Sequence, residues 1–243
     1  EKDWKQYPVI RLDMSRGGAN EETLRSYLNL RFKDYEEKYN ITPDPTAMLA
    51  DRFHAIIATA YKQTGLRVAV LIDEYDSPLQ HSWRTPEHEK CTGVYREVFA
   101  ILKADDEYEH FVFITGITKF TQISLFSVLN NLSNISFTPE YAAICGITEE
   151  EIEENFMPEI IQMSEANNWS VQETHDRLKA YYDGYHFSDD NMVDIYNPYS
   201  LVNALKQRKI KNFWASSGAT SLLPKFVDNA ELRISNFENI RSE

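Results

Sequence analysis

Cysteine is scarce: Cys91 and Cys145 are the only two in 243 residues, far apart and without CxxC spacing. This excludes a disulfide framework and fits a reducing compartment, with the cytoplasm as the expected location. Long apolar runs are missing too. The longest aliphatic stretch, Val68 to Ile72, is far too short to span a bilayer, and no apolar signal segment follows Glu1-Lys2-Asp3, so a soluble chain without a membrane partner is expected. Positive charge is in short supply: 25 Lys and Arg face 38 Asp and Glu, for a net charge of −13. Counterion release by Lys and Arg drives sequence-independent nucleic-acid binding, so this balance disfavours such a grip. Repeats and low-complexity tracts are absent. The chain also opens without Met, as a fragment or processed chain would.

What is present describes a folded protein. Apolar residues make up 42%, charged residues 26% and aromatics 13%, a composition that argues against disorder. The length suffices for one large core, or a core and a smaller lobe, without disulfides or metal.

Periodicity and punctuation alternate strand and helix over the first two-thirds. Tyr7 to Leu12 is β-prone and stops at DMSRGG; Glu21 to Tyr39 then places Leu24, Leu28, Phe32 and Tyr35 on one helical face. After Pro43 and Pro45, a second helix carries Met48, Leu49, Phe53, Ile56, Ile57, Ala60 and Tyr61, and Gly65 ends it. Val68-Ala69-Val70-Leu71-Ile72 lacks polar alternation, which predicts a parallel strand covered on both faces, and it stops at Asp73-Glu74-Tyr75-Asp76. Glu87 to Leu102 reads as helix, and Phe111 to Thr115 as a second apolar strand ending at Gly116. Strand, helix, strand implies a right-handed parallel crossover. Ile135 to Phe137 reads as one more short strand before Pro139. The pattern then turns helical. Thr148 and Glu151 have capping-box spacing, and helices are expected over 149–156, 159–167, 170–183 and 199–207.

The strongest chemical signal is VAVLIDEYD, a buried strand delivering two adjacent acids to its carboxyl end, where open α/β sheets place ligands. This is the shape of a Walker B motif. Asp73 would hold the hydration shell of Mg²⁺, and Glu74 would orient and polarise the water that attacks a γ-phosphate. The plainer reading is that both acids end a strand in a polar turn. FVFITGITKF adds a neighbouring strand with Thr115 at its tip, able to hydrogen-bond the attacking water or phosphate, and Lys119 just beyond, within reach of a phosphate. For these two the plainer readings are a satisfied β-branched strand residue and a solvated loop cation.

A longer series of blocks carries a family resemblance: YPVIRLDMS, VAVLIDEYDSPL, FVFITGITKFTQISLFSVLNNLSNIS, PEYAAICGITEEEIEENF, YYDGYHFS, YNPYSLVNAL and NFWASSG. In this order, from about Trp4 to Leu223, they resemble the bacterial AAA-ATPase-like family. The resemblance implies an α/β, P-loop NTPase-like parallel sheet core over residues 1–146 and a helical lid subdomain over 147–243. It implies Mg²⁺-dependent ATP binding and hydrolysis in the intact protein, coupled to the lid or to an attached effector. The family's restriction-type PD-(D/E)XK nuclease-like domain would lie beyond Glu243. Asp73 and Glu74 carry over as the Walker B pair, with Asp73 as the metal and cofactor ligand; Thr115 carries over as the strand-tip sensor. Homo-oligomerisation is left open.

One departure stands out, since the 243 residues contain no GxxxxGK followed by Ser or Thr. Gly17-Gly18 in SRGGANEE supplies neither the Lys for phosphates nor the hydroxyl for Mg²⁺. In the family that loop lies upstream of the position of Glu1, and its backbone amides form most of the phosphate site. As it stands the chain is therefore expected to lack the first strand of the sheet, to bind neither ATP nor Mg²⁺, and to be inactive alone, the strand from Phe111 being left without one neighbour. The alternative function is a non-enzymatic, degenerate nucleotide-binding-like scaffold for protein interaction or regulation. Keeping both Asp73 and Glu74 speaks against it.

Weaker signals have plainer accounts. His81, His88 and Cys91 are too loosely spaced for a metal site. Glu36-Glu37-Lys38 mimics a nuclease string, but a solvated helix face with i,i+4 pairing explains it. Tyr182-Asp183-Gly184-Tyr185 and Trp214 read as lid-core packing around a glycine turn.

Overall fold

The computed structural model describes residues 5–117, 132–184 and 193–213. The chain divides into two compact units, Glu1–Ser133 and Asn134–Glu243.

In the first unit, strands β1 (Val9–Asp13), β2 (Val68–Asp73) and β3 (Glu109–Ile114) form a parallel sheet in the order β1-β2-β3. Parallel neighbours need crossovers, and helices supply them. Helices α1 (Glu21–Lys38) and α2 (Leu49–Thr64) join β1 to β2; α3 (Ser77–Ser82), α4 (Glu87–Phe99) and α5 (Ile101–Ala104) join β2 to β3. The helix expected from Glu87 to Leu102 is thus divided at Ala100. Asn20 starts α1 with a capping box to Thr23, and Gly65 ends α2 in the left-handed region at φ 67°.

The sheet has unequal faces. Ile10, Leu12, Val70 and Ile72 are buried, and they share one apolar cluster with Leu24 and Phe32 of α1, Phe53 and Ile56 of α2, and Val94 and Val98 of α4. On the opposite face, Val9 and Phe111 are exposed while Ala69 and Leu71 are half-buried. Burial along β2 therefore alternates between buried and half-buried, and the equal coverage of both faces expected from its unbroken apolar run is not found among the described residues. All the described crossover helices contribute to one cluster on one side; residue hydrophobicity alone does not say how many faces are filled. Beyond β3 no further strand pairs with it among the described residues, and Phe111 is 51% exposed at that edge.

A second correction concerns Glu36, which is not on a solvated face. Its side chain is 2% exposed and accepts a two-pronged contact from Arg52 of α2, Nε to Oε1 at 2.6 Å and Nη2 to Oε2 at 2.9 Å. Glu37 and Lys38 do remain exposed, and Glu37 pairs with Lys33 one turn back. Spacing within α1 could not reveal a partner on another helix.

The second unit is helical: α6 (Glu149–Asn155), α7 (Met157–Asn167), α8 (Val171–Tyr182) and α9 (Pro198–Gln207) enclose Ile152, Ile160, Met163, Leu178, Tyr182 and Leu201. The capping box at the start of α6 is present, with Glu151 Oε2 accepting from the Thr148 amide at 2.9 Å. Glu149 ties this unit together. Its carboxylate meets His175, accepts from Tyr196 Oη at 2.9 Å, and lies 3.4 Å from Lys179 Nζ. Tyr182 is buried in the core of this unit and its hydroxyl donates to the Lys211 carbonyl at 2.7 Å, whereas Tyr181 is exposed. Tyr185 and Trp214 lie outside the described residues.

Ile135 to Phe137 is not a strand. The Asn134 side chain accepts from the Ser136 amide at 3.1 Å, and the Thr138 amide donates to the Ile135 carbonyl. These local bonds make a turn, the usual competition of an Asn side chain with sheet pairing.

Candidate functional site at the carboxyl ends of the strands

All three parallel strands deliver their carboxyl ends to one side of the first unit. In register, Asp13 of β1 faces Asp73 of β2, and Ile72 faces Ile114 of β3, so Thr115 follows beside Asp73. Two backbone bonds extend the ladder past the strand ends: the Thr115 amide donates to the Ile72 carbonyl at 2.8 Å, and the Tyr75 amide to the Thr115 carbonyl at 2.9 Å. Alternation along a strand puts Arg11 and Asp13 on one face, the less buried one, together with Asp73.

Two of the residues picked out from sequence are in direct contact. Thr115 Oγ1 donates to Asp73 Oδ1 at 2.6 Å, across 42 positions of sequence. The other oxygen, Oδ2, accepts from Arg11 Nη2 at 3.1 Å. The Thr115 hydrogen bond is the largest influence on the Asp73 carboxyl and holds it below the ordinary carboxylate range; burial opposes this and Arg11 adds to it.

Glu74 is placed differently. It is exposed, and its backbone is left-handed at φ 48°, a region that a side chain with a Cβ occupies at a cost of about 1 kcal/mol or more. That twist separates Glu74 from the strand line, so the two adjacent acids do not simply alternate. Partial desolvation, then the carboxylates of Asp73, Asp13 and Asp76, push the Glu74 pKa upward, and His81 pulls it down. A carboxylate made more basic in this way is better suited to accept a proton.

Asp76 was not singled out from sequence, yet it organises the rim. It is 1% exposed, and Oδ2 accepts from the Ile117 amide at 3.1 Å and from Gln80 Nε2 at 2.6 Å. The loop after β3 is thereby fastened to the start of α3. At Gly116 the approach is so close that a Cβ would lie 2.5 Å from Asp76 Oδ1 and 2.7 Å from the Tyr75 ring. No sequence signal links Asp76 to Ile117, or Arg11 to Asp73 62 positions on.

The neighbouring histidines serve local contacts. His81 Nδ1 lies 2.7 Å from the Ser77 carbonyl, and His88 Nδ1 is 3.3 Å from Ser82 Oγ. Cys91 is buried, with its thiol pKa pushed up chiefly by desolvation. Among the described residues no group of three or more His, Cys, Asp or Glu is arranged to hold a metal. Lys119 lies outside the described residues.

The donors at the strand ends are carboxylate and hydroxyl oxygens, which are hard ligands. Mg²⁺ is commonly bound through one or two carboxylates with waters and substrate phosphates rather than by an all-protein cage. Asp73 with Thr115 fits that mode of binding.

The family described as Predicted AAA-ATPase matches residues 1–126, a stretch that contains all three strands and the site. A curated relative, an uncharacterized protein in the vnfD 5' region of Azotobacter chroococcum mcd 1, is 30% identical over 225 residues, covering 91% of this chain. The chain spans 41% of that relative's length. No solved structure matches. Among the described residues no helix is long and apolar enough to cross a membrane.

Proposed function

Since the chain belongs to the AAA-ATPase-like family, with more than half of its length matched, we propose that it forms the greater part of a P-loop ATPase domain that hydrolyses ATP with Mg²⁺ in the longer protein. The observation that carries this reading is the 2.6 Å hydrogen bond from Thr115 to Asp73 at the carboxyl ends of adjacent parallel strands. A strand that merely ends in a polar turn has no need for a sensor-like hydroxyl on the neighbouring strand, fixed on the first of two acids.

The roles follow from placement. Asp73 accepts hydrogen bonds from the hydration shell of the cation, and Thr115 fixes which way that carboxylate points. Glu74, projected off the strand line, orients the attacking water and receives its proton. Lys119 is the residue we assign to reach a phosphate oxygen. Asp76 positions the loop that follows Thr115, through the Ile117 amide. Bound Mg²⁺-ATP would supply the phosphoryl group and neutralise charge building on its oxygens. The sequence has no phosphate-gripping GxxxxGK[ST] loop, so in this reading another part of the longer protein provides it. Among the described residues no strand pairs with the outer edge of β3, and Phe111 is exposed there, which supports one more strand docking from the same source. Residues 147–243 act as the lid, which passes the change on hydrolysis to an attached effector domain.

The test is ATP binding and hydrolysis by the full-length protein beside its Glu74→Gln variant. We expect retained binding and a hydrolysis rate lower by about 10²- to 10⁴-fold, the usual worth of a positioned general base. Equal rates in the two proteins would remove Glu74 from the mechanism and favour an interaction scaffold.

A further inference from the structure

Both oxygens of Asp73 are engaged, but by donors of different kinds. Oδ1 takes the neutral Thr115 hydroxyl at 2.6 Å, and Oδ2 takes the Arg11 guanidinium at 3.1 Å. Arg11 sits opposite Leu71 on the less buried face of the sheet, two residues before the row that holds Asp13 and Asp73. Its side chain reaches along the strand direction to the carboxylate. The guanidinium cannot be deprotonated in a protein, so its charge is present at every pH at which the chain is folded.

We infer that Arg11 is a built-in counter-cation of Asp73, occupying Oδ2 at 3.1 Å and having to leave before a hydrated divalent cation can dock there. This rests on the reading of Asp73 as the metal-facing carboxylate. A hydrated Mg²⁺ presents water hydrogens to the same lone pairs that the guanidinium now holds, and two cations close together repel. A cation arriving alone therefore has to expel Arg11 with nothing to receive it. A cation arriving with a polyphosphate brings anionic oxygens to which a guanidinium binds well. Arg11 thus biases the site against free metal and toward the metal–nucleotide complex.

Exposure sets the size of the effect. The side chains of Arg11 and Asp73 are 62% and 45% exposed, so the pair is a screened surface bridge and exchanges readily. Removing Arg11 should tighten free-metal binding by about two- to fivefold, no more.

The probe is Mn²⁺ in place of Mg²⁺, followed by electron paramagnetic resonance at low ionic strength, on the full-length protein and its Arg11→Met, Asp73→Asn and doubly substituted forms. Arg11→Gln replaces Arg11→Met should the latter fail to give a normal circular dichroism melt. The expected result is tighter Mn²⁺ binding in Arg11→Met, with the gain abolished when Asp73→Asn is also present. A gain that persists in the Asp73→Asn background would reflect the general field of one positive charge and would overturn the inference. Unchanged affinity in Arg11→Met, with binding still lost in Asp73→Asn, would overturn it while leaving Asp73 as the metal-facing group. Binding indifferent to Asp73, or no binding in any of the four proteins, would overturn both. An independent readout is the Arg11 Nε–H signal in nitrogen-15 NMR, expected to shift as Mg²⁺ is added to the unsubstituted full-length protein and to stay put if the guanidinium never leaves.

Discussion

Thr115 Oγ1 and Asp73 Oδ1 lie 2.6 Å apart across the seam between β2 and β3, and the same threonine closes the backbone ladder through its amide and carbonyl. One residue thus fixes both the end of the sheet and the direction of the first acid.

Thr115→Val keeps the shape and removes the hydroxyl. The Asp73 carboxyl should then titrate closer to its ordinary value, because its largest lowering influence is gone. Stability should fall by about 1 kcal/mol or less, since the pair is partly solvated. In the full-length protein, ATP hydrolysis should drop while Thr115→Ser retains it. Carbon-13 NMR of the Asp73 carboxyl and single-turnover rates check the two halves of this expectation.

Gly116→Ala should disturb the site more than its small size suggests. The new methyl would meet Asp76 and the Tyr75 ring below van der Waals distance, so the loop carrying Thr115 has to move. A cost of about 1–3 kcal/mol is expected, as for overpacking elsewhere. Thermal denaturation measures it, and a melting temperature equal to that of the unsubstituted chain would count against the tight approach.

Arg52 and Glu36 give the sharpest stability test. Arg52→Met leaves Glu36 as a buried carboxylate without its main cation, and about 3 kcal/mol of destabilisation is expected. Replacing both, as Arg52→Met with Glu36→Leu, should recover much of that loss. Urea titrations of the two variants decide whether burial or mere proximity matters here.

Glu109 supplies a pH dependence. Buried at the start of β3, with Oε1 lacking a hydrogen-bond partner, it has its pKa raised to about 8 by desolvation and by the Asp105 and Asp106 carboxylates. An acid whose pKa is higher in the folded state holds its proton longer there than in the unfolded chain. Its contribution is therefore present in full below about pH 4.5 and is lost as pH rises toward about 8, a span on the order of a few kcal/mol. Glu109→Gln should flatten that slope in denaturation curves taken from pH 5 to 8.

The parts of this molecule that were legible in sequence are those written in short-range pattern. The helix faces of α1 and α2, the Gly65 stop and the Thr148–Glu151 capping box depend on neighbours within one or two turns, and each is found where its spacing puts it, except that Met48 caps α2 and is exposed rather than lying on its buried face. The same holds for the acids at the end of β2. What failed was information carried between elements. Whether β2 was covered on one face or two depended on where the crossover helices packed, and Glu36 found its partner on another helix. Ile135 to Phe137 had strand composition, but Asn134 offered the backbone a local alternative. At the site, Asp73, Glu74 and Thr115 could be picked out from motif shape. Arg11 and Asp76 could not, because their contacts are made across the tertiary structure.

The left-handed backbone at Glu74 leaves a footprint that inheritance should preserve or erase. Glycine or asparagine would relieve the backbone at that position by about 1 kcal/mol, so mutation supplies a stabilising exit whenever the carboxylate has no task. Descendants that ceased to use the acid would drift to those residues. Lineages that hold glutamate there do so against a standing conformational disadvantage.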